Sequence, residues 1–238
     1  MGVDVIKNYR NEWKYCCTAG ELERINNRLE AVLDKDKHGG RNGRYTIHSL
    51  YFDDYKDSFV KANDAGTSER IKYRIRYYGE QYDLMQLERK EKSGGRCYKT
   101  SCPLLPEEYQ KLMSGDIEKV FWQTKEPLLR HFCICCMNGY LRPKAIIDFE
   151  RTAFVEEITN IRITLDENIS VSNDLFHFVK GDYLRYPIQE KGQHILEVKF
   201  DYILPGYIRH IVAGQNLIQS SFSKYSLGRR VLQKMGQG

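Results

Sequence analysis

The chain has 238 residues, of which 41% are hydrophobic and 12% aromatic, so it can form a substantial core and is not disordered. Its formal net charge of +5 is only mildly basic and does not by itself indicate nucleic-acid binding. No apolar run approaches the roughly 20 residues of a membrane-spanning helix, and no apolar signal segment opens the chain, so we expect a cytoplasmic protein without a membrane segment of its own.

The cysteine content agrees with a reducing compartment. Seven cysteines are present, an odd number without regular spacing, which indicates free thiols rather than a disulfide framework. No His or Cys pair at zinc spacing follows the cluster at residues 133–136, so we interpret these thiols as buried and inert. Without an internal repeat or linker, residues 1–238 are expected to form one domain.

The first predicted elements are a strand, a helix and a second strand. Residues 8–17 alternate between polar and apolar side chains, as in a half-buried strand. Thr18-Ala19-Gly20-Glu21 is typical of a capping box and predicts that a helix begins there. A strand follows at residues 45–53, and a short helix is expected within residues 54–63.

The densest pattern lies in residues 69–92, which predict a hairpin with its turn at Gly79. Because successive side chains of a strand point to opposite faces, this hairpin has a charged face made of Lys72, Arg74, Arg76, Glu88, Lys90 and Lys92. One such face is usually a solvated surface, since antiparallel sheets commonly face water on one side. Here, however, the pattern recurs along the chain.

The second half of the chain predicts further strands, helices and a long loop. Strands are expected at residues 97–102, 143–151, 161–166 and 195–200, and helices at residues 106–113, 128–139, 205–216 and 224–234. Residues 168–193 are predicted to be mostly loop. At least four strands therefore carry charges on one face and apolar residues on the other.

These faces predict an α+β fold. Amphipathic helices cover the apolar faces of the strands, and strands joined as hairpins can close into a barrel without exposed edges. We therefore predict an antiparallel β-barrel tunnel of about eight strands with a charged lumen, covered outside by amphipathic helices. The predicted lining includes Lys14, Lys72, Arg74, Arg76, Lys90, Arg162 and Lys199, interrupted by Glu12, Glu88, Asp166 and Glu197.

Such a lining predicts the chemistry of its ligand. Buried like charges repel one another and are costly to desolvate, so the lumen makes sense only with a polyanion or several anions inside. Carboxylates together with phosphate oxygens suit Mg²⁺ or Mn²⁺. The sequence thus predicts a site for a triphosphate or a polyphosphate.

Several motifs occur in the order of a known family. They are Glu12-Trp13-Lys14-Tyr15, Ser49-Leu50-Tyr51-Phe52-Asp53, Lys72-Tyr73-Arg74-Ile75-Arg76-Tyr77, Glu88-Arg89-Lys90, Arg151-Thr152-Ala153-Phe154, Arg162-Ile163-Thr164-Leu165-Asp166, Ile195-Leu196-Glu197-Val198-Lys199-Phe200 and Ser223-Lys224-Tyr225-Ser226. In these motifs the chain resembles, from residue 9 to about residue 232, the VTC domain. This domain is the polyphosphate polymerase of the vacuolar transporter chaperone family and its bacterial relatives, among the triphosphate tunnel metalloenzymes.

The resemblance implies a metal-dependent phosphotransferase that transfers the γ-phosphate of ATP onto a growing polyphosphate chain. It implies Mn²⁺ or Mg²⁺ as cofactor, ATP and polyphosphate as partners, and Glu197 as metal ligand, to which Glu88 and Glu12 are added as further predicted ligands. The residues expected to be catalytic are Arg74, Arg76, Lys90, Glu197 and Lys199. Those expected to bind substrate are Lys14, Arg151, Arg162, Lys224, Tyr51 and Ser49, together with Lys72, which strand parity adds.

One departure bears on the reaction. The hydrolases and cyclases of the superfamily carry Glu-x-Glu-x-Lys on the first strand, where this chain has Arg10-Asn11-Glu12-Trp13-Lys14. This fits the polymerase branch, but a tunnel triphosphatase acting on tripolyphosphate or a nucleoside triphosphate remains an alternative. A non-catalytic polyphosphate-binding module, with or without a membrane-protein partner, is a third reading. No nucleic-acid partner is expected, since no RNA- or DNA-binding motif is present.

Overall fold

The computed structural model describes residues 8–36, 39, 43–213 and 217–236. The strands are β1 (Asn11–Thr18), β2 (Asp34–Lys35), β3 (Arg44–Asp53), β4 (Arg70–Tyr78), β5 (Gln81–Ser93), β6 (Arg96–Leu104), β7 (Arg142–Glu156), β8 (Ile161–Ser172), β9 (Tyr186–Pro187) and β10 (Gln193–Phe200). The helices are α1 (Ala19–Glu30), α2 (Ser58–Asp64), α3 (Pro106–Ser114), α4 (Ile117–Gln123), α5 (Pro127–Met137), α6 (Gly206–Ala213) and α7 (Lys224–Met235).

All these strands belong to one antiparallel sheet. Its main order is β1-β10-β8-β7-β3-β4-β5-β6, with β2 added beside β7 and β9 beside β8. The two edge strands approach each other, because Arg10 and Cys97 exchange backbone hydrogen bonds of 2.9 Å in both directions. The sheet therefore curls around a lumen, and the predicted α+β fold with an antiparallel barrel of about eight strands is confirmed.

Local signals in the sequence produce several of these elements. Thr18 caps α1: its hydroxyl accepts a hydrogen bond from the Glu21 backbone, and the Glu21 carboxylate accepts one from the Thr18 backbone at 2.8 Å. The predicted capping box is thus confirmed. Gly94 and Gly95 join β5 to β6 with φ angles of 53° and 81°, which glycine adopts without steric cost.

Two groups of helices cover the outer face of the sheet. Helices α3, α4 and α5 pack over β4, β5 and β6 on a core that includes Ile75, Leu87, Leu104, Leu129 and Phe132. Helices α1 and α6 pack over β1, β8 and β10 on a core that includes Ile25, Ile163, Leu196, Val198 and Ile208. Burial of these apolar faces stabilises the curled sheet and leaves the polar faces of the same strands to line the lumen.

Helix α7 differs from these, because it packs against the inner face of the sheet. Tyr225 stacks on Tyr51 of β3 with 5.0 Å between ring centroids. A Cβ atom at Gly228 would lie 2.6 Å from Ile147 Cδ1 and 3.0 Å from Val171 Cγ2, so only glycine permits this close approach to β7 and β8. The inner face is therefore apolar where α7 covers it and charged beyond the helix.

The predicted element bounds need three corrections. Strand β8 continues to Ser172, so residues 168–172 are strand rather than loop, and α4 is a helix that was not predicted. Strand β8 also contains an extra residue relative to β7, since Asp148 pairs with Ser170 while Glu150 pairs with Glu167. This β-bulge, with Asn168 at a φ of 51°, changes which side chains of β8 face inward.

Candidate functional site

The inner face of the sheet borders two cavities that share lining residues. The shared residues are Glu12, Arg74, Arg76, Lys90, Cys97, Arg151 and Lys199, so the two cavities adjoin, and we call them together the passage. Strand β4 runs along it: Lys72 lines only the first cavity, Arg74 lines both, and Tyr78 lines only the second.

The two ends of this passage differ in composition. We call the end lined by Asn63, Arg70, Lys92, Ser220, Ser221 and Ser223 the serine mouth. We call the end lined by Arg10, Tyr45, Tyr78, Tyr98, Lys99 and Arg162 the tyrosine mouth.

Most of the predicted cationic residues meet in this passage. The cations that line the first cavity are Lys14, Arg70, Lys72, Arg74, Arg76, Lys90, Lys92, Arg151, Lys199 and Lys224. Of the described carboxylates, Glu12 and Glu197 line it with them. Tyr51 also lines this cavity, and Arg162 lines the tyrosine mouth. The passage is therefore strongly positive and suited to a ligand with several negative charges.

Glu12 and Glu197 lie on neighbouring strands within a group of lysines. Lys90 Nζ donates to both oxygens of Glu12 at 2.8 and 2.5 Å, and Lys14 Nζ lies 3.1 Å from Glu12 and 3.5 Å from Glu197. Lys199 Nζ lies 2.5 Å from Glu197. Burial raises the pKa of each carboxyl, but the surrounding lysines outweigh burial and hold both pKa values below their usual range. Both groups are therefore ionised at neutral pH.

Across the lumen, Arg74 is held in place by Glu88 and Tyr51. Its Nε and Nη2 atoms each lie 2.6 Å from Glu88 Oε2, and its Nη1 donates to the Tyr51 hydroxyl at 2.8 Å. Burial raises the pKa of Tyr51, but the charges of Arg74 and Arg76 lower it to below its usual range. Because one edge of the guanidinium is occupied by Glu88, Arg74 can offer a phosphate only its remaining Nη protons.

Arg76 is oriented in a similar way from behind. Its Nε donates to the Ser49 hydroxyl at 3.1 Å, and its Nη1 lies 3.8 Å from Glu88. Ser49 itself does not line either cavity. Ser49 was predicted to line the wall, but it lies behind Arg76 and helps to hold that side chain.

A third group joins β7, β8 and α7. Asp166 is completely buried and accepts hydrogen bonds from Arg151 Nε at 2.6 Å, Arg151 Nη2 at 2.8 Å and Lys224 Nζ at 2.6 Å. The Phe149 ring lies beneath both cations, 5.1 Å from the Arg151 guanidinium carbon and 4.7 Å from Lys224 Nζ. Burial raises the pKa of Asp166, but the charges of Arg151 and Lys224 outweigh burial and hold the pKa below its usual range, so the carboxyl stays ionised. Asp166 thus fixes two lumen cations.

The predicted metal ligands fall into two places. Glu12 and Glu197 are ionised, share Lys14 and face the passage, so they fit a divalent cation whose remaining ligands are phosphate oxygens. Glu88, the third predicted ligand, lies apart: it is 1% exposed, does not line the passage, and holds Arg74 and Lys99. Within the described ranges, no three His, Cys, Asp or Glu side chains form a group that could hold a metal without other ligands.

The structure adds residues that were not assigned to the site from the sequence. Arg70 and Lys92 line the serine mouth with Asn63, Ser220 and Ser223. Parity along β4 and β5 could have found both cations, since Arg70 precedes Lys72 by two residues and Lys92 follows Lys90 by two. The serine residues directly precede or begin the motif Ser223-Lys224-Tyr225-Ser226, so the predicted position of Lys224 in the tunnel could have pointed to them.

The tyrosine mouth contains cations that are each paired with a carboxylate. Arg162 pairs with Asp36 and also donates to the Tyr45 hydroxyl at 3.1 Å. Arg10, which stands where tunnel hydrolases have their first signature glutamate, lies 2.7 Å from Asp201. Arg162 is therefore at the edge of the passage rather than among the central phosphate contacts.

No helix within the described residues is long and apolar enough to cross a membrane.

The family model of the VTC domain matches residues 9–233, nearly the whole chain. No curated protein sequence matches the chain.

Solved structures with the same fold share little sequence with this chain. A candidate adenylyl cyclase from Hippeastrum, reported to have a dominant triphosphatase activity, is 11% identical with a TM-score of 0.56 over 93% of this chain and 95% of that one. A candidate adenylate cyclase from Bacillus halodurans is 15% identical with a TM-score of 0.53, covering 91% and 95%. A protein of Pyrococcus horikoshii is 12% identical with a TM-score of 0.50, covering 92% and 98%. At these identities the likeness establishes the fold alone.

Proposed function

Because the chain belongs to the VTC domain family, we propose that it is a polyphosphate polymerase that transfers the γ-phosphate of ATP onto a polyphosphate chain. One observation carries the proposal: a passage lined by cations also contains two ionised carboxylates, Glu12 and Glu197, on one wall. A site that only bound anions would gain nothing from carboxylates facing the ligand, whereas a metal-dependent phosphotransferase needs them.

The chemistry requires positioning and charge neutralisation more than a protein nucleophile. Arg74 and Arg151 are preorganised by Glu88 and Asp166, so they would meet the charge that develops on the transferred phosphoryl group without reorganising. Lys14, Lys90 and Lys199 carry compact charges on flexible side chains, and would neutralise the remaining oxygens. The attacking group is a phosphate at the end of a chain, which is already an anion, so no general base is assigned.

A divalent cation fits this arrangement at Glu12 and Glu197. When bound, Mn²⁺ or Mg²⁺ would polarise phosphoryl oxygens and neutralise part of the triphosphate charge. Lys90 pairs with Glu12 and Lys199 with Glu197, so a phosphate ligand that engages these lysines would free the carboxylate oxygens for the metal.

We further infer that the protein works in the cytoplasm. All seven cysteines are free thiols, and Cys17, Cys97, Cys102 and Cys133 are buried. Disulfides are rare where glutathione keeps thiols reduced, which is also where ATP is supplied.

A triphosphatase that uses water as the acceptor is the alternative, because the lining residues serve both reactions. The test is incubation of the purified protein with γ-labelled ATP and Mn²⁺, with products resolved on a polyphosphate gel. A ladder of labelled chains that Glu197→Gln abolishes and the surface control Glu118→Gln retains would support the polymerase. Labelled orthophosphate as the sole product would establish the triphosphatase instead.

The same experiment tests the third reading, a polyphosphate-binding module without catalysis. In that case added polyphosphate binds, no labelled product forms, and binding is the same with and without Mn²⁺. Retention of wild-type turnover by both Arg74→Ala and Glu197→Gln would contradict any mechanism centred on this lumen.

A further inference from the structure

The two mouths of the passage differ in how their cations are neutralised. At the tyrosine mouth, Arg10 pairs with Asp201, Arg162 with Asp36, and Lys99 with Glu88 at 3.0 Å. At the serine mouth, Arg70, Lys72 and Lys92 have no carboxylate within 4 Å in the part of the chain that the structure describes. Glu69, next to Arg70 in sequence, accepts a hydrogen bond from Ser93, and Glu91, next to Lys92, pairs with Arg89.

The pairing of β4 with β5 brings these cations directly opposite one another. Arg70 pairs with Lys92 and Lys72 pairs with Lys90, and all four side chains line the passage. Like charges directly opposite on neighbouring strands are destabilising. Of the four, only Lys90 has a carboxylate partner, Glu12. The fold therefore holds Arg70, Lys72 and Lys92 close together at this mouth without a direct ion pair among the described residues.

The same repulsion between like charges affects the protonation of Lys72 and Lys92. Burial, together with the charges of Lys14, Lys90 and Arg70, lowers the pKa of Lys72 to about 7. Burial and the charge of Arg70 also lower the pKa of Lys92. An anion at this mouth would remove the repulsion and favour the charged form of both side chains.

The other groups at the serine mouth are also suited to an anion. Lys72 and Arg70 are held by neutral acceptors: Lys72 donates to the Ser223 hydroxyl at 2.8 Å, and Arg70 donates to the Asn63 amide oxygen at 3.1 Å. Ser220 Oγ is buried and has no hydrogen-bond partner among the described residues. Ser223 is also the N-cap of α7, a helix of 12 residues, whose positive end adds to the field at this mouth.

We propose that the serine mouth is a second phosphate-binding site, which holds the part of a linear polyphosphate that extends beyond the triphosphate bound in the lumen. The site rests on the proposed function, because it lies on the same passage and takes the same class of ligand. Arg70 and Lys92 line only the first cavity, so a long chain leaving by this mouth would contact both, whereas a short ligand centred on Glu12 and Glu197 would contact them less. The paired cations of the tyrosine mouth offer no comparable site.

The experiment compares two ligands on the double variant Arg70→Gln/Lys92→Gln. Affinities of the whole protein for tripolyphosphate and for a long linear polyphosphate are measured by calorimetry. Removal of two cations from a partly exposed site should weaken binding of the long chain about tenfold more than binding of tripolyphosphate. The control Lys111→Gln/Lys119→Gln makes the same change in net charge on the outer helices α3 and α4, and should affect neither ligand.

A second measurement separates binding from folding. Since the double variant removes repulsion, it should unfold without ligand at the same temperature as the wild type or at a higher one. Equal loss of affinity for both ligands, no loss for either, or an equal loss in the control would overturn the second site. If the wild type binds neither ligand, the proposed function itself fails.

Discussion

Removal of the Asp166 charge tests how the lumen cations are held. Asp166 is fully buried and bridges Arg151 and Lys224 through three hydrogen bonds of 2.6–2.8 Å. Asp166→Asn keeps the size of the side chain but leaves two buried cations without their counter-ion. Breaking a buried ion pair from one side costs about 3–5 kcal/mol, a large part of the roughly 5–15 kcal/mol that stabilises a domain.

Urea unfolding followed by circular dichroism measures this loss, since urea does not screen charges as guanidinium chloride does. The matched control is Asp116→Asn, because Asp116 is 49% exposed in its pair with Lys119, and a surface pair contributes only about 0–1 kcal/mol. Tripolyphosphate should restore part of the stability of Asp166→Asn, since a bound anion replaces the missing charge. Equal losses for the two variants would refute the view that this carboxylate organises the lumen.

Three further outcomes are expected. At pH 8 the Lys72 side chain of the free protein is mostly neutral, because its pKa is about 7. A bound polyphosphate raises that pKa, so binding should take up as much as about one proton. Calorimetry in two buffers of different ionisation enthalpy measures this uptake, and Lys72→Gln should abolish it. It follows that affinity falls as the pH rises above 7. Arg74→Lys keeps the charge but loses the contacts to Glu88 and Tyr51, so transition-state stabilisation should fall by about 2 kcal/mol. In the labelled-ATP assay this corresponds to a kcat/KM that is roughly 30-fold lower. An unchanged value would remove Arg74 from the mechanism. Gly228→Ala places a Cβ 2.6 Å from Ile147, so overpacking of about 1–3 kcal/mol should exceed the gain in helix propensity of about 1 kcal/mol; Ile147→Val should recover stability in urea, and a double variant no better than the single one would contradict the packing of α7 against β7.

The sequence by itself determined what depends on neighbouring residues. Strand alternation assigned Lys72, Arg74 and Arg76 of β4 to one face, and the structure places all three in the passage. The capping box at Thr18 likewise depends on residues only three apart. The order of the motifs was sufficient to identify the family. Strand parity was sufficient to predict the curled sheet, because the faces of a strand alternate with a period of two residues.

Tertiary structure decided what depends on pairing between distant segments. The bulge at Asn168 changes the inward face of β8, and nothing in the alternation of residues 161–166 reveals it. An amphipathic helix has an apolar stripe that can cover either face of a sheet, so the side of the sheet on which α7 lies is shown by its tertiary contacts, the packing of Gly228 on β7 and the stacking of Tyr225 on Tyr51.

Charge pairing is decided in the same way. The chain contains several carboxylates that could pair with each lumen cation, and strand register and helix docking determine which ion pair forms. Glu88 meets Arg74 because β4 and β5 place them opposite each other, and Asp166 meets Lys224 only once α7 has docked. Strand order and register also bring Arg70, Lys72 and Lys92 together at one mouth, where none of the three forms an ion pair with a described carboxylate. The charges were readable in the chain, but their neutralisation depends on contacts between residues far apart in sequence.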